Sequence, residues 1–370
     1  MIVYIGMILW ILFLGAVCRK RIVLNSVTRK TEYRATSQQA FLSMAIVVFF
    51  IGLRSAGADT HAYISMYQSL PTGISSIVET LKSGESEAGF TIFGILVKTF
   101  LSEDFHVYLF LIAAISGFCV VFALKKYSSY FTTSMLLFML MGIFTWMING
   151  IRQFLAVSIA FAAVGLILKR KMIPYILMIL FLTTIHTSAI ILLPIYFIVG
   201  GEAWNKRTML VLGLSVVVIF FTARFTSFLD SALVGTNYEG AVEQFAMDDG
   251  SNPIRTIISA VPVVIAFLNR RIVKRKGSAM INVCINMSII GVALSTVANV
   301  TSGILMGRLP IYFTIYNLIL LPWLVYETCG KLRDIIYPAM IGCYAFFFYY
   351  ENFATNHYYY ISDILHMNFW

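Results

Sequence analysis

From residue 172 to residue 199 the chain runs without one Asp, Glu, Lys or Arg. That stretch is longer than the roughly 20 residues a helix needs to cross a bilayer. Similar runs recur from end to end: 59% of the 370 residues are hydrophobic, 12% are charged, and mean hydropathy is +0.85. Soluble domains are about 45–50% apolar and about 25% charged. A soluble fold of this chain would leave apolar surface that it has no polar residues to cover. Disorder is excluded as well, because it requires few aromatics and aromatics make up 15% here. An outer-membrane barrel would show short segments alternating with period two, and these runs do not alternate. The expected fold class is an all-α polytopic membrane protein.

Apolar stretches at 2–17, 39–53, 106–124, 129–147, 152–168, 172–185, 187–199, 208–222, 254–269, 279–300, 309–327 and 335–350 read as spans. The expected total is about 11–13 transmembrane helices, in one integral-membrane domain covering 1–370. Twenty of the 27 basic residues, among them Arg19, Lys125, Lys126, Arg170, Arg270, Arg271 and Lys274, fall in one set of connections. Those connections hold only Glu32, Glu202, Glu327 and Asp334 of the 17 acids. The positive-inside rule assigns them to the cytoplasm. An alternating path then puts both termini outside, with outer loops at about 54–88 and 222–253 and an outer C-terminal tail at 351–370. The net charge of +10 is accounted for by this asymmetry, and nucleic acid is not an expected partner.

Two runs need separate treatment. Residues 89–101 are too short for a span, and counting them as one would export Lys125 and Lys126, so a re-entrant or surface-lying helix is expected. Residues 172–199 are expected as two short helices turning near His186, which keeps Lys206 and Arg207 inside. In the first outer loop Asp59, Tyr63 and Tyr67 recur at helical spacing, and Ile74, Ile77, Val78 and Leu81 form an apolar stripe. Both patterns predict amphipathic helices in the interface plane. The second loop carries Asp230, Glu239, Glu243, Asp248 and Asp249.

Five cysteines (Cys18, Cys119, Cys284, Cys329, Cys343) show no metal-ligand spacing and read as small buried hydrophobes. No cleavable leader is expected, since the basic cluster follows the first apolar stretch rather than preceding it. Phosphate-loop, zinc-helix, serine-elbow and Asp-x-Asp patterns are absent. ATP-driven transport, zinc hydrolysis, elbow-serine esterase and nucleotide-sugar chemistry lose ground accordingly, and no metal or cofactor is expected.

Seven basic residues remain off the cytoplasmic side: Arg54, Lys82, Lys98, Arg152, Arg224, Arg255 and Arg308. The five arginines sit at outer ends of spans. Arg152 follows Asn149-Gly150, Arg255 follows Asn252-Pro253, and Arg308 precedes Leu309-Pro310, so all three mark helix N-termini. A cation there opposes the helix dipole unless an anion accompanies it, and free N–H groups plus a guanidinium fork make a strong anion site. A snorkelling arginine is the competing reading for each one singly; together they point to a lipid phosphate or pyrophosphate. Candidate bases are Asp59, Glu87 and His186. Asp59 also suits a helix N-cap, Glu87 a solvated loop, and His186 a satisfied histidine at membrane depth.

These residues carry a family likeness. Ile51-Gly52-Leu53-Arg54 followed by Gly57-Ala58-Asp59 and Tyr63 resembles the first signature of the EpsG family. Asn149-Gly150-Ile151-Arg152-Gln153, Ile185-His186-Thr187-Ser188-Ala189 before Leu193-Pro194, and Gly307-Arg308-Leu309-Pro310-Ile311-Tyr312-Phe313 resemble later ones, in order over about 40–320. The resemblance implies a Wzy-type bacterial polysaccharide polymerase with a GT-C-like helical bundle in the plasma membrane, working on its outer face. Its substrate would be an undecaprenyl-pyrophosphate-linked oligosaccharide, joined into capsule or exopolysaccharide. A flippase and a chain-length regulator of the same pathway are the implied partners beside membrane lipid. Arg152 and Arg308, with Arg54, Arg255 and Tyr63, would hold the donor pyrophosphate, and Gln153 and Asn149 would add hydrogen bonds. Asp59 or Glu87 would take the acceptor proton, with His186 orienting that base or acting as it. Rival classes are a lipid-linked sugar flippase, whose basic residues would lie deeper (Lys98 is the main candidate), an O-antigen-type ligase, and a membrane acyltransferase.

Overall fold

The computed structural model describes residues 1–24, 31–221, 224, 227–228, 231, 252–301, 306–356 and 359–369. They form two compact units, Met1–Leu193 with Lys331–Trp370, and Pro194–Gly330. The acids of the 222–253 loop, and His357, lie outside the described residues.

The first unit opens with α1 (Ile2–Val17) and an antiparallel hairpin of β1 (Lys20–Leu24) and β2 (Thr31–Ala35), with Lys20 opposite Ala35. Next come α2 (Ser37–Gly52), α3 (Thr60–Ser69), α4 (Ile74–Ser83), α5 (Ala88–Phe100) and α6 (Phe105–Tyr127). Then follow α7 (Phe131–Leu140), α8 (Ile151–Ala162) continued by α9 (Gly165–Leu168), and α10 (Met172–Thr183). The Thr36 hydroxyl accepts from the Gln39 N–H to start α2, and Asp104 does the same for His106 in α6. Met44, Val47, Val48 and Ile51 of α2 and Tyr108, Ile112, Ser116 and Val120 of α6 are buried at helical spacing, and these two helices pack together. Where lipid surrounds the helices, such packing rather than escape from water drives association.

The 172–199 run breaks as expected: α10 ends at Thr183, and a 3-10 turn at Thr187–Leu192 begins just after His186. The apolar 89–101 run forms α5, whose 13 residues extend about 20 Å, short of the roughly 30 Å hydrocarbon core. Lys98 on α5 donates to the carbonyls of Tyr67, Gln68 and Leu70 at 3.2, 2.7 and 2.6 Å. It therefore caps the C-terminus of α3, a structural task for the residue the flippase reading assigned to a transport path. The apolar stripe of α4 is uncovered by protein, with Ile74 and Leu81 each 66% exposed. This is the face an interfacial helix offers to lipid.

The second unit holds α11 (Ile195–Ile198), α12 (Lys206–Phe220), α13 (Pro253–Leu268), α14 (Arg270–Lys276), α15 (Ala279–Val300), α16 (Ile311–Thr314) and α17 (Asn317–Thr328). Buried along most of its length, α15 packs against α12, α13, α16 and α17. The expected cap-and-proline start of α13 is present, with Asn252 accepting from the Ile254 N–H at 2.9 Å.

Among the described residues, three helical stretches are long and apolar enough to span a membrane: Phe105–Tyr127, Ile151–Leu168 and Ala279–Val300. Two bent pairs, Pro253–Leu268 with Arg270–Lys276 and Met306–Thr314 with Asn317–Thr328, raise this to five, beside six shorter apolar helices. Each expected apolar stretch is helical, so the all-α membrane class stands at that level. Two short hairpins depart from it. The second, β3 (Tyr360–Ser362) with β4 (Met367–Phe369), follows the helix Arg333–Tyr349 and a π-helical turn at Tyr350–Thr355. Strands of three to five residues carry too little periodicity to stand out beside long apolar runs.

Candidate active site

The site lies in the first unit, where the N-terminus of α5 meets the break after α10. Glu87 precedes α5 in the left-handed backbone region, at φ 64°, a strained setting for a non-glycine residue that recurs at functional sites. Two residues on, Gly89 admits the contact. A Cβ there would stand 2.1 Å from Thr184 Oγ1 and 3.0 Å from the Thr184 carbonyl oxygen. With no side chain in the way, the Phe90 N–H donates to that carbonyl at 3.2 Å.

This approach brings Glu87 to His186. Glu87 Oε1 lies 2.6 Å from His186 Nδ1, and accepts from the Thr187 N–H at 3.0 Å and the Thr187 hydroxyl at 3.3 Å. Its other oxygen, Oε2, accepts from Arg152 Nη1 at 2.6 Å. The carboxylate is 10% exposed, His186 19% and Arg152 39%. One buried carboxylate thus joins an imidazole and a guanidinium, both open enough to meet a ligand.

Arg152 is held from behind by aromatic faces, its guanidinium carbon 5.8 Å from the Tyr63 ring centre and 5.7 Å from that of Phe90. Its backbone N–H donates to the Tyr63 hydroxyl at 3.3 Å. Gly150, the N-cap of α8, adopts φ 79° and donates its N–H to Asp59 Oδ2 at 2.8 Å. A side chain at Gly150 would be strained by that φ and would press on the Trp146 ring at 3.0 Å. Asp59 takes the N-cap position of α3, yet its side chain makes no cap bond there; it ties α3 to the start of α8 instead.

Burial by itself would raise the Glu87 carboxyl. The His186 and Thr187 hydrogen bonds, with the charge of Arg152, outweigh it and hold Glu87 below its ordinary value. Glu87 therefore stays anionic, and its oxygens are already occupied. The hydrogen-bond network assigns the His186 proton to Nδ1, facing the carboxylate, which leaves the Nε2 lone pair available.

Arg54 is buried, 2% exposed. Nε donates to the Thr60 hydroxyl at 2.8 Å, Nη1 donates to the Ile51 carbonyl, and among the described residues the buried Nη2 has no partner. Burial lowers its pKa to about 10, against the opposing effect of Tyr4, Tyr360, Tyr63 and Asp59, so it remains a cation at neutral pH. Next to it, Ser55 joins the chain's end to α2. Its N–H donates to the Ile361 carbonyl at 2.9 Å, and its hydroxyl oxygen accepts from the Asp363 N–H at 2.9 Å. Ser55 Oγ also lies 3.3 Å from His106 Nε2, whose Nδ1 is 2.8 Å from Asp104 Oδ1.

The structure brings together five of the candidate residues, Asp59, Tyr63, Glu87, Arg152 and His186, with Arg54 buried alongside Tyr63 and Asp59. Asn149 and Gln153 flank the same helix start, Gln153 buried at 3%. Arg308, ending a 3-10 turn, and Arg255, exposed in the first turn of α13, belong to the second unit. Sequence reasoning gave no role to Phe90, Gly89 or Ser55, found too little context around Asp104 and His106, and met Thr187 only as a neighbour of His186. A threonine directly after the suspect histidine was the one available signal. Among the described residues no group of three or more His, Cys, Asp or Glu side chains forms a metal cage.

A sequence model of the EpsG family matches residues 39–363. The chain belongs to the EpsG family. The matched region contains every residue of the Glu87 cluster, and membership makes this EpsG protein a polysaccharide-polymerase-like membrane protein. No curated protein and no solved structure matches it.

Proposed function

We propose that this EpsG protein is a polysaccharide polymerase. It transfers a growing glycan from undecaprenyl pyrophosphate to the non-reducing end of the next lipid-linked repeat unit, at the outer face of the bacterial plasma membrane. The observation that carries this reading is the Glu87 bridge, which sets a general base and a phosphate-binding cation on either side of one carboxylate.

His186 is the base. Its Nε2 takes the proton of the acceptor hydroxyl as that oxygen bonds to the donor's anomeric carbon and the bond from that carbon to pyrophosphate oxygen breaks. The electron pair leaves with the pyrophosphate, where Arg152 offsets the developing charge. Glu87 keeps the imidazole in the required tautomer and stabilises it once protonated, the task of the carboxylate in other carboxylate–histidine pairs. Asp59 and Tyr63 position the start of α8 and so act through Arg152. Both termini outside is the topology that puts this site on the substrate's side.

The test is the size of surface polysaccharide in a strain lacking the gene, complemented with wild type, Arg152→Ala or His186→Gln. Single repeat units in the deletion, with long chains restored by wild type alone, are expected. Repeat units accumulating on the cytoplasmic leaflet would mark a flippase instead, and long chains stranded on the lipid carrier a ligase.

A further inference from the structure

The second unit contains a cavity of about 450 Å³ whose lining includes Glu202, Trp204, Arg270, Arg271, Lys274 and Asn282. Its size falls within the roughly 300–1,000 Å³ of small-molecule sites. Three cations face one carboxylate there. Arg271 and Lys274 enter none of the ion pairs among the described residues, whereas nearby Lys276 is neutralised by Glu327 at 3.0 Å. Like charges three residues apart on α14 repel each other, and among the described residues neither Arg271 nor Lys274 has an ion-pair partner to relieve them.

The Glu202 and Trp204 part of the lining is fixed by buried polar bonds. Buried Asn286 accepts from the Trp204 N–H and donates to the carbonyls of Val199 and Glu202, each at 3.0 Å. These bonds hold Trp204 in the left-handed region at φ 62°, a strained conformation for a bulky residue.

The surroundings indicate what fills the cavity. α13 passes the length and polarity test for a span only together with α14, and the two helices meet at 77°. A short helix turned that far at the end of a span lies close to the membrane plane. At the bend, Phe267 and Leu268 are 50% and 72% exposed, an apolar rim beside the cations. Basic pockets at span ends recognise phosphate-bearing headgroups.

We propose that this cavity binds the phosphate of an anionic phospholipid, held by Arg271 and Lys274. The test uses the full-length detergent-solubilised protein titrated with phosphatidylglycerol or phosphatidylcholine and read by native mass spectrometry. Saturable binding of phosphatidylglycerol is expected. Arg271→Gln with Lys274→Gln should weaken it about thirtyfold. Arg275→Gln with Lys331→Gln, an equal loss of charge at residues that do not line the cavity, should leave it within about threefold. Displacement of the lipid by equimolar glycerol phosphate would uphold the phosphate site and assign it a soluble ligand. Equal losses in the two double variants, or equal binding of phosphatidylcholine, would overturn the proposal.

Discussion

Glu87 Oε1 lies 2.6 Å from His186 Nδ1, across 99 residues of sequence. The same carboxylate holds Arg152 at 2.6 Å, so its removal disturbs both the base and the cation. Glu87 is a positioning residue in the proposed mechanism, and this distinguishes it from a carboxylate that takes the proton itself.

If His186 is the base, His186→Gln lowers the elongation rate on a synthetic lipid-linked repeat unit by about 10²–10⁴. Glu87→Gln removes the charge that stabilises protonated His186 and sets an amide donor against either Nδ1 or the Arg152 guanidinium, so a comparable loss is expected. The double variant should then be no slower than either single one, because residues that act as a unit are not additive. Multiplying losses would show that the two act independently.

Arg152→Ala is expected to lower elongation about 10²-fold with normal protein level and membrane insertion. Arg152→Lys keeps the charge but not the planar fork that lies against Tyr63 and Phe90, so intermediate activity is expected. Polymer of wild-type length from the alanine variant would remove Arg152 from the site.

The lowered Glu87 carboxyl makes a signed prediction for stability. The native state binds the Glu87 proton less readily than the unfolded chain. Its contribution is therefore complete above the ordinary carboxylate range and is lost as pH falls through the lowered native value. Thermal midpoints of the solubilised protein should decline on acidification more steeply for wild type than for Glu87→Gln. Parallel curves would contradict the assignment.

Gly89→Ala drives a Cβ to within 2.1 Å of Thr184 Oγ1. The start of α5 must move, at a cost of about 1–3 kcal/mol, and the Glu87 and His186 pairing loosens with it. Elongation should fall while Arg152 remains intact. Adding Thr184→Ala removes the closest atom and should recover part of both stability and rate. A Gly89→Ala protein as active as wild type would show that the close approach is dispensable.

Composition and apolar run lengths determined the membrane class, the helical stretches, the break near His186 and the shortness of α5. Each of these depends on chemistry carried within some twenty adjacent residues. Local chemistry also singled out Asp59, Glu87, Arg152 and His186 as residues out of place in their surroundings. It could not tell which of them meet. Glu87 had the look of a solvated loop acid and Asp59 of a cap for its own helix. Tertiary packing made Glu87 the buried centre of the site, turned Asp59 toward Gly150, and put Arg54 under cover. The physical reason is that a hydrogen bond depends on distance in space, and chain separations of 65, 91 and 99 residues leave no periodic trace in sequence. Those pairings exist because Gly89, Gly150 and the aromatic faces of Tyr63 and Phe90 let distant segments approach, and only the folded chain establishes that approach.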